Sequence, residues 1–245
     1  DLVALNSRVA AHGFTGGFEV ESHQGNLTLA AGETLTSGAV KLTADGGLVI
    51  IAGTIDTSGE NGGDITLSGN QGVTLAATAV LDAHADGYAD TDTRQASAGT
   101  ITLATDFVAG TTGTDADGRV TGTSGVITIA DGATLNLAAR RSYARLVALS
   151  SGTGYTYVDA DEAGTLVIRA PVVKNGAGDP TVMVTVESAD SVVGAAKIEV
   201  EGFTRWDLAK VAASGHYTGV TVDAAGNVTL DVSAGLDTLA YDSAT

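Results

Sequence analysis

Cysteine is absent from the 245 residues, proline occurs twice, and aromatic residues make up only 4% of the chain. Without thiols there can be no disulfide framework, zinc–thiolate site or cysteine nucleophile. With two prolines, turns must come from the 33 glycines and from Asn and Asp, and with few aromatics the core must be built from small aliphatics. Cations are scarce as well: 12 Lys and Arg against 29 Asp and Glu leave a net charge of -17. That balance argues against nucleic acid or an anionic membrane surface as partner, since both require clustered positive charge. No stretch reaches the ~18 apolar residues of a membrane span, so none is expected. The chain opens on Asp1 without a Met or a signal-like segment, which reads as an excerpt of a longer or processed protein.

What the chain does have is a recurrent short word: glycine, any residue, aliphatic, usually Thr, aliphatic. It appears as Gly25-Asn-Leu-Thr-Leu29, Gly46-Gly-Leu-Val-Ile50, Gly63-Asp-Ile-Thr-Leu67, Gly99-Thr-Ile-Thr-Leu103, Gly125-Val-Ile-Thr-Ile129 and Gly164-Thr-Leu-Val-Ile168. Side chains alternate faces along a strand, so each word predicts a short strand with two aliphatics inward and the residue between them outward, as in Thr28, Thr66, Thr102 and Thr128. The same pattern recurs between the words at Val73-Thr-Leu75, Val80-Leu81 and Leu135-Asn-Leu137, so residues 63 to 83 accommodate three strands.

The glycines of the word lie 21, 17, 36, 26 and 39 residues apart. Units of about 20 residues are too small to bury their own apolar face and become stable by stacking. The fold class expected is therefore all-β, a right-handed parallel β-helix with inserted loops. Residues 84–98, about 110–123 and 150–163 are the inserts, and each ends just before a word, at Gly99, Gly125 and Gly164. Words at the same phase should stack, which would bring all three inserts out along one edge. Residues 1–141 read as regular coils and residues 142–245 as their continuation with irregular turns. One short helix is expected near 204–213, where Thr204-Arg-Trp-Asp207 resembles a capping box ahead of Leu208-Ala-Lys-Val-Ala-Ala213. Such a helix would cap the end of the stack or decorate its side.

The run Gly53-Thr-Ile-Asp-Thr-Ser-Gly59, with Gly62-Gly-Asp-Ile-Thr-Leu-Ser68, Gly72-Val-Thr-Leu-Ala-Ala77 and Ala79-Val-Leu-Asp82, resembles the repeats of filamentous haemagglutinin-type exoproteins. Gly164-Thr-Leu-Val-Ile-Arg-Ala-Pro171 and Ile198-Glu-Val-Glu-Gly-Phe203 are similar to their more degenerate parts. The resemblance implies a β-helical rod, two-partner secretion through an outer-membrane transporter, a place at the bacterial cell surface, and adhesion to a host or bacterial surface glycan or protein. No amino-terminal secretion domain and no toxin-like end can be read in the chain.

Residues that carry chemistry are scattered. His12, His23, His84 and His216 show no metal-ligand spacing, and no nucleophile–base–acid triad can be assembled, so the chain is not expected to be an enzyme. The alternative is a glycan-active β-helix, a polysaccharide lyase or hydrolase, with acids drawn from Asp82, Asp86, Asp90 and Asp92. Calcium is the small ligand best suited to the alternating carboxylates Asp86, Asp90, Asp92 and Asp115, Asp117, each group with a nearby glycine. The inserts share their composition: Asp86, Tyr88, Asp90, Asp92 and Arg94 in the first, Asp115, Asp117 and Arg119 in the second, Tyr155, Tyr157, Asp159 and Asp161 in the third. Tyrosines offer broad contacts at low entropy cost and carboxylates offer acceptors, so one acidic, tyrosine-bearing recognition edge is expected. The first insert is expected to lie outside the stacked core, so that a Gly-Ser turn could replace it without loss of the fold.

Overall fold

The computed structural model describes residues 2–13, 16–108, 110–116, 118–149, 153–174, 179–214, 220–225 and 227–230. The chain is mostly β, and its strands fall into three parallel ladders visited in a fixed order. The first sheet stacks Phe18–Ser22, Val40–Ala44, Ile65–Gly69, Thr100–Thr105, Thr165–Lys174 and Lys197–Phe203. The second stacks Leu27–Leu29, Leu48–Ile51, Gly72–Leu75, Val126–Ile129 and Val184–Val186. The third stacks Thr34–Thr36, Thr54–Asp56, Val80–Asp82, Thr134–Asn136 and Val192–Val193. Strands before and after residue 142 belong to the same three sheets.

The core consists of in-register aliphatic columns. Val40, Ile65, Ile101 and Leu166 lie one above another in the first sheet, with Leu42, Leu67, Leu103 and Ile168 beside them. Val49, Val73 and Ile127 form a column in the second sheet, and Leu35, Ile55, Leu81 and Leu135 one in the third. All are essentially inaccessible to solvent, and each burial contributes about 1.5–3 kcal/mol.

The glycine that opens the word has a steric cause. At the corner leading into the first sheet, a Cβ on Gly63 would stand 1.7 Å from the carbonyl oxygen of Gly38, one on Gly99 2.0 Å from that of Gly63, and one on Gly164 2.1 Å from that of Gly99. Each course runs so close over the one beneath that only hydrogen fits.

The words occupy two sheets, not one phase. Those at Gly63, Gly99 and Gly164 enter the first sheet, whereas those at Gly25, Gly46 and Gly125 enter the second. The spacings of 17, 26 and 39 therefore run between sheets, and true register offsets are those of stacked partners: Leu48 N donates to Asn26 Oδ1 across 22 residues, Asn70 Nδ2 to the Asp45 carbonyl across 25, and Thr100 N to Asp64 Oδ1 across 36. The outward threonines divide accordingly, Thr66 and Thr102 on one sheet, Thr28 and Thr128 on another. In the Gly46 word the inward residues are Val49 and Ile51, not Leu48 and Ile50. Four consecutive aliphatics leave alternation undecided, and the ladder with Val73 and Leu75 decides it.

The expected helix forms over Leu208–Ser214, capped by Asp207, whose Oδ1 accepts from Ala209 N (3.1 Å) and Lys210 N (3.2 Å), and not by Thr204. It packs beside the insert at 106–125: Val211 is buried and Asp207 N donates to the Gly118 carbonyl at 2.7 Å. A helix not expected from the sequence, Leu2–Ala11, lies against Thr34–Thr36, packing Leu2 and Val3 on the core while Asn6 Nδ2 donates to the Thr36 carbonyl at 3.2 Å.

Substituting Ile101 by Asp should lower the melting temperature by roughly 10 °C or prevent folding, because an unpaired charge would enter a shared column. Thr66→Ser, on the outward face, should shift it by no more than about 2 °C. Differential scanning calorimetry of the two variants checks the inward and outward assignment; the reverse order would refute it.

Candidate recognition site

Two long connections leave the corner between the third and first sheets on consecutive courses, residues 83–99 and 138–164. Stacking continues into them. Ala85 bridges to Gly59 below and Ala139 above, and Ser97 bridges to Glu162. Backbone bonds tie the two together, with Glu162 N donating to the Ala96 carbonyl (2.8 Å) and Arg140 N to that of Ala85 (3.1 Å). Ala85, Tyr88 and Ala96 form a small separate core here.

Four of the chain's 12 cationic residues gather at this corner: Arg94, Arg140, Arg141 and Arg145. Arg141 is the hub, with 5% of its side chain exposed. Its Nη2 donates to the Tyr88 carbonyl at 2.7 Å and to the Asp90 carboxylate, and its Nη1 donates to Asp161 Oδ2 at 3.4 Å. Asp161 is wholly buried and also accepts from Ala96 N at 3.1 Å. Arg94 binds Asp92 through Nε (3.1 Å) and Nη2 (2.8 Å) while its guanidinium lies 3.7 Å from the Tyr88 ring centroid. Asn61 Nδ2 donates to the Tyr88 hydroxyl at 2.6 Å, and Arg145 Nη2 to the carbonyls of Asp92 (3.0 Å) and Arg94 (3.3 Å). The hydrogen bonds from Arg94 hold the Asp92 carboxyl down at about 2, and those from Arg141 hold Asp90 below its ordinary range.

Beyond this lock the second connection folds into an antiparallel ribbon, Arg145–Ala148 against Tyr155–Val158, with Leu146 opposite Tyr157 and Ala148 opposite Tyr155. Its inner face turns Val147 and Val158 into the protein. Its outer face turns Leu146 (70% exposed), Tyr155 (72%) and Tyr157 (65%) to solvent, next to Tyr143 (67%). In a chain with ten aromatic Phe and Tyr residues and one Trp, three fully presented tyrosines at one place are a concentrated apolar surface.

The residues expected to form one recognition edge are thus divided. Asp86, Asp90, Asp92, Arg94, Asp159 and Asp161 share this corner with Tyr155 and Tyr157, but Tyr88 (7% exposed) and Asp161 are interior anchors, not contact residues. Asp115 and Arg119 lie on a different edge, because the 106–125 insert leaves between the first and second sheets. There Asp115 Oδ1 accepts from Arg119 N at 2.9 Å, and the Arg119 guanidinium lies 5.5 Å from the Trp206 ring. Asp117 is outside the described residues. The carboxylates considered for calcium do not converge: Asp90 and Asp92 face arginines, and Asp86 receives His84 Nε2 at 3.0 Å. Among the described residues the one cluster of three groups able to share a metal ion is Glu21, His23 and Asp45, on the exposed face of the first two courses. Arg140, Arg141, Arg145, Tyr143 and Leu146 went unread in the sequence, although Arg-Leu-Val-Ala148 and Tyr-Thr-Tyr-Val158 flank a glycine-containing turn with the alternation of a hairpin.

Compared with known proteins, the chain matches no family model, no curated protein and no solved structure. Among the described residues no helix is long and apolar enough to cross a membrane.

Two outcomes follow from the lock. Arg141→Gln strands Asp161 in the interior, so the melting temperature should fall by roughly 10 °C and proteolysis should begin in residues 143–158; an unchanged melting curve would show that the lock carries no stability. His84 sits between Asp82 (Nδ1, 2.6 Å) and Asp86. Partial burial lowers its pKa, but the hydrogen bonds to Asp82 and then Asp86 together outweigh it, and the net shift is upward. A raised folded-state pKa gives stability that is complete below the unfolded value of about 6.5 and is lost as pH rises through the folded value. The melting temperature of wild type relative to His84→Gln should therefore be higher at about pH 5.5 than at about pH 8.5.

Proposed function

We propose that this chain is a non-catalytic adhesive segment of a secreted bacterial surface protein. In this reading the three ladders close as a right-handed parallel β-helix, the rod is exported through an outer-membrane transporter as in the filamentous haemagglutinin-type proteins it resembles, and the rod holds a recognition surface toward a glycan or protein of another cell. The observation that carries it is the ribbon of Leu146, Tyr155 and Tyr157 held outward by the buried Arg141–Asp161 pair. Rigid, exposed aromatic side chains on a pre-organised support favour binding because little freedom is lost on contact. Repetition along a rod would turn weak contacts into firm attachment. The reading calls on no catalytic group and no bound calcium, since Asp90 and Asp92 are engaged by arginines.

The triple variant Leu146→Ser, Tyr155→Ser, Tyr157→Ser tests it. Attachment of the purified chain to cells and to an array of surface glycans should weaken by about tenfold or more, with the melting temperature within about 2 °C of wild type, because the three side chains contribute contacts and not core. Undiminished attachment would remove the ribbon as the site. Release of new reducing or unsaturated ends from a polysaccharide would replace adhesion by the lyase or hydrolase alternative.

A further inference from the structure

The two ends of the stack are finished differently. At the first, helix Leu2–Ala11 packs on the core and bonds the edge carbonyl of Thr36. At the other, Lys197–Phe203 pairs with Thr165–Pro171 on one side and, among the described residues, with no strand on the other. Ile198 and Val200 continue the columns of Leu166 and Ile168, yet they are 57% and 55% exposed where the residues beneath are 1% and 3%. Val186, which continues the column of Ile129 in the second sheet, is exposed as well. An unpaired strand edge with aliphatics in line is a template for another strand.

The sequence of this edge favours its own copy in the opposite direction. When Lys197-Ile-Glu-Val-Glu201 pairs antiparallel with itself about Glu199, Ile198 falls opposite Val200 on the inward face and Lys197 opposite Glu201 on the outward face, each twice by symmetry. The two central Glu199 residues face each other, but each carboxylate already accepts from its own Lys197 Nζ at 2.6 Å. Arg169 Nε, 3.6 Å from Glu201, adds a cation to each half. The helix packed against Leu27–Leu29 and Thr34–Thr36 obstructs head-to-tail stacking on the first end. We propose that the chain self-associates tail to tail, two copies joining through antiparallel Lys197–Phe203 edges.

Sedimentation equilibrium of the whole 245-residue chain, with circular dichroism to verify folding, tests this. A monomer–dimer equilibrium is expected. Lys197→Glu places like charges opposite at two positions and should weaken the dimer by about tenfold or more. Adding Glu201→Lys to that variant exchanges the charges across the seam and should recover much of the lost affinity, short of wild type because the new cation lies beside Arg169, a rescue that general loss of stability would not produce. Val200→Lys should leave monomers. A chain that is monomeric at every concentration overturns the inference and leaves the edge to another polypeptide or to none. A dimer indifferent to Lys197→Glu, or a double variant no tighter than the single one, also overturns it.

Discussion

The closeness with which one course of backbone runs over the next governs this structure. Where Gly63, Gly99 and Gly164 stack, the carbonyl of the preceding course occupies the space of a side chain. Contact that close is possible only if the courses stay in register, and register brings like residues over like. Columns of Val, Ile and Leu then give a continuous core without large aromatics, which is why a chain so poor in Phe, Tyr and Trp can still exclude water from its centre. A long insertion is tolerated wherever it leaves a corner and returns to the same corner, because the ladder hydrogen bonds above and below it are untouched.

The two insertions at the third-to-first corner are more than tolerated excursions. Ala85 and Ala139 extend the parallel stacking outward by one position, so the loops begin as further rungs of the ladder. Past that point apolar stacking stops and ionic contacts take over: Arg141 reaches Asp90 in the lower loop and Asp161 in its own, and Arg145 caps two carbonyls of the lower loop. Residues 85–97 stand outside the stacked columns but build a small core of their own from Ala85, Tyr88 and Ala96, so the insert is not a free excursion. A Gly-Ser turn in their place would remove Tyr88 and Asp90 and leave the Arg141 guanidinium with one of its three partners, Asp161.

Strand type was legible in the sequence because alternation is local. Facing was legible where a Thr separates the aliphatics, so Ile65, Leu67, Ile101 and Leu103 are buried and Thr66 and Thr102 face out, whereas the unbroken aliphatic run of the Gly46 word hid it. The assignment of words to sheets was not legible, since the first and second sheets use the same word and only long-range pairing distinguishes Gly99 from Gly125. The edge from which each insert leaves depends on that assignment, so the grouping of Asp115 and Arg119 with Tyr155 and Tyr157 failed with it. The helix at Leu2–Ala11 lacks an acidic first turn, and the bond that ties it down, from Asn6 to the Thr36 carbonyl, spans thirty positions. The role of Arg141 was hidden for the same reason, because its partners at Tyr88 and Asp90 lie 53 and 51 residues back.

Aromatic exposure and buried charge are linked at this corner. A two-stranded ribbon such as Arg145–Ala148 with Tyr155–Val158 is marginal by itself in water, and one that turns three large apolar side chains outward has even less reason to stay folded. Its inner face supplies only Val147 and Val158 as apolar anchors. The remaining hold comes from Arg145, which donates to the carbonyls of Asp92 and Arg94, and from the Arg141–Asp161 pair at its base, where a buried charge left without its partner costs more than the pair itself gains. That asymmetry favours keeping the pair closed, and with it the base from which the ribbon leaves. A docked ribbon presents Leu146, Tyr155 and Tyr157 on one face before any partner arrives. Under the adhesive reading, the ordering needed for recognition is thus completed during folding and draws little from the binding energy.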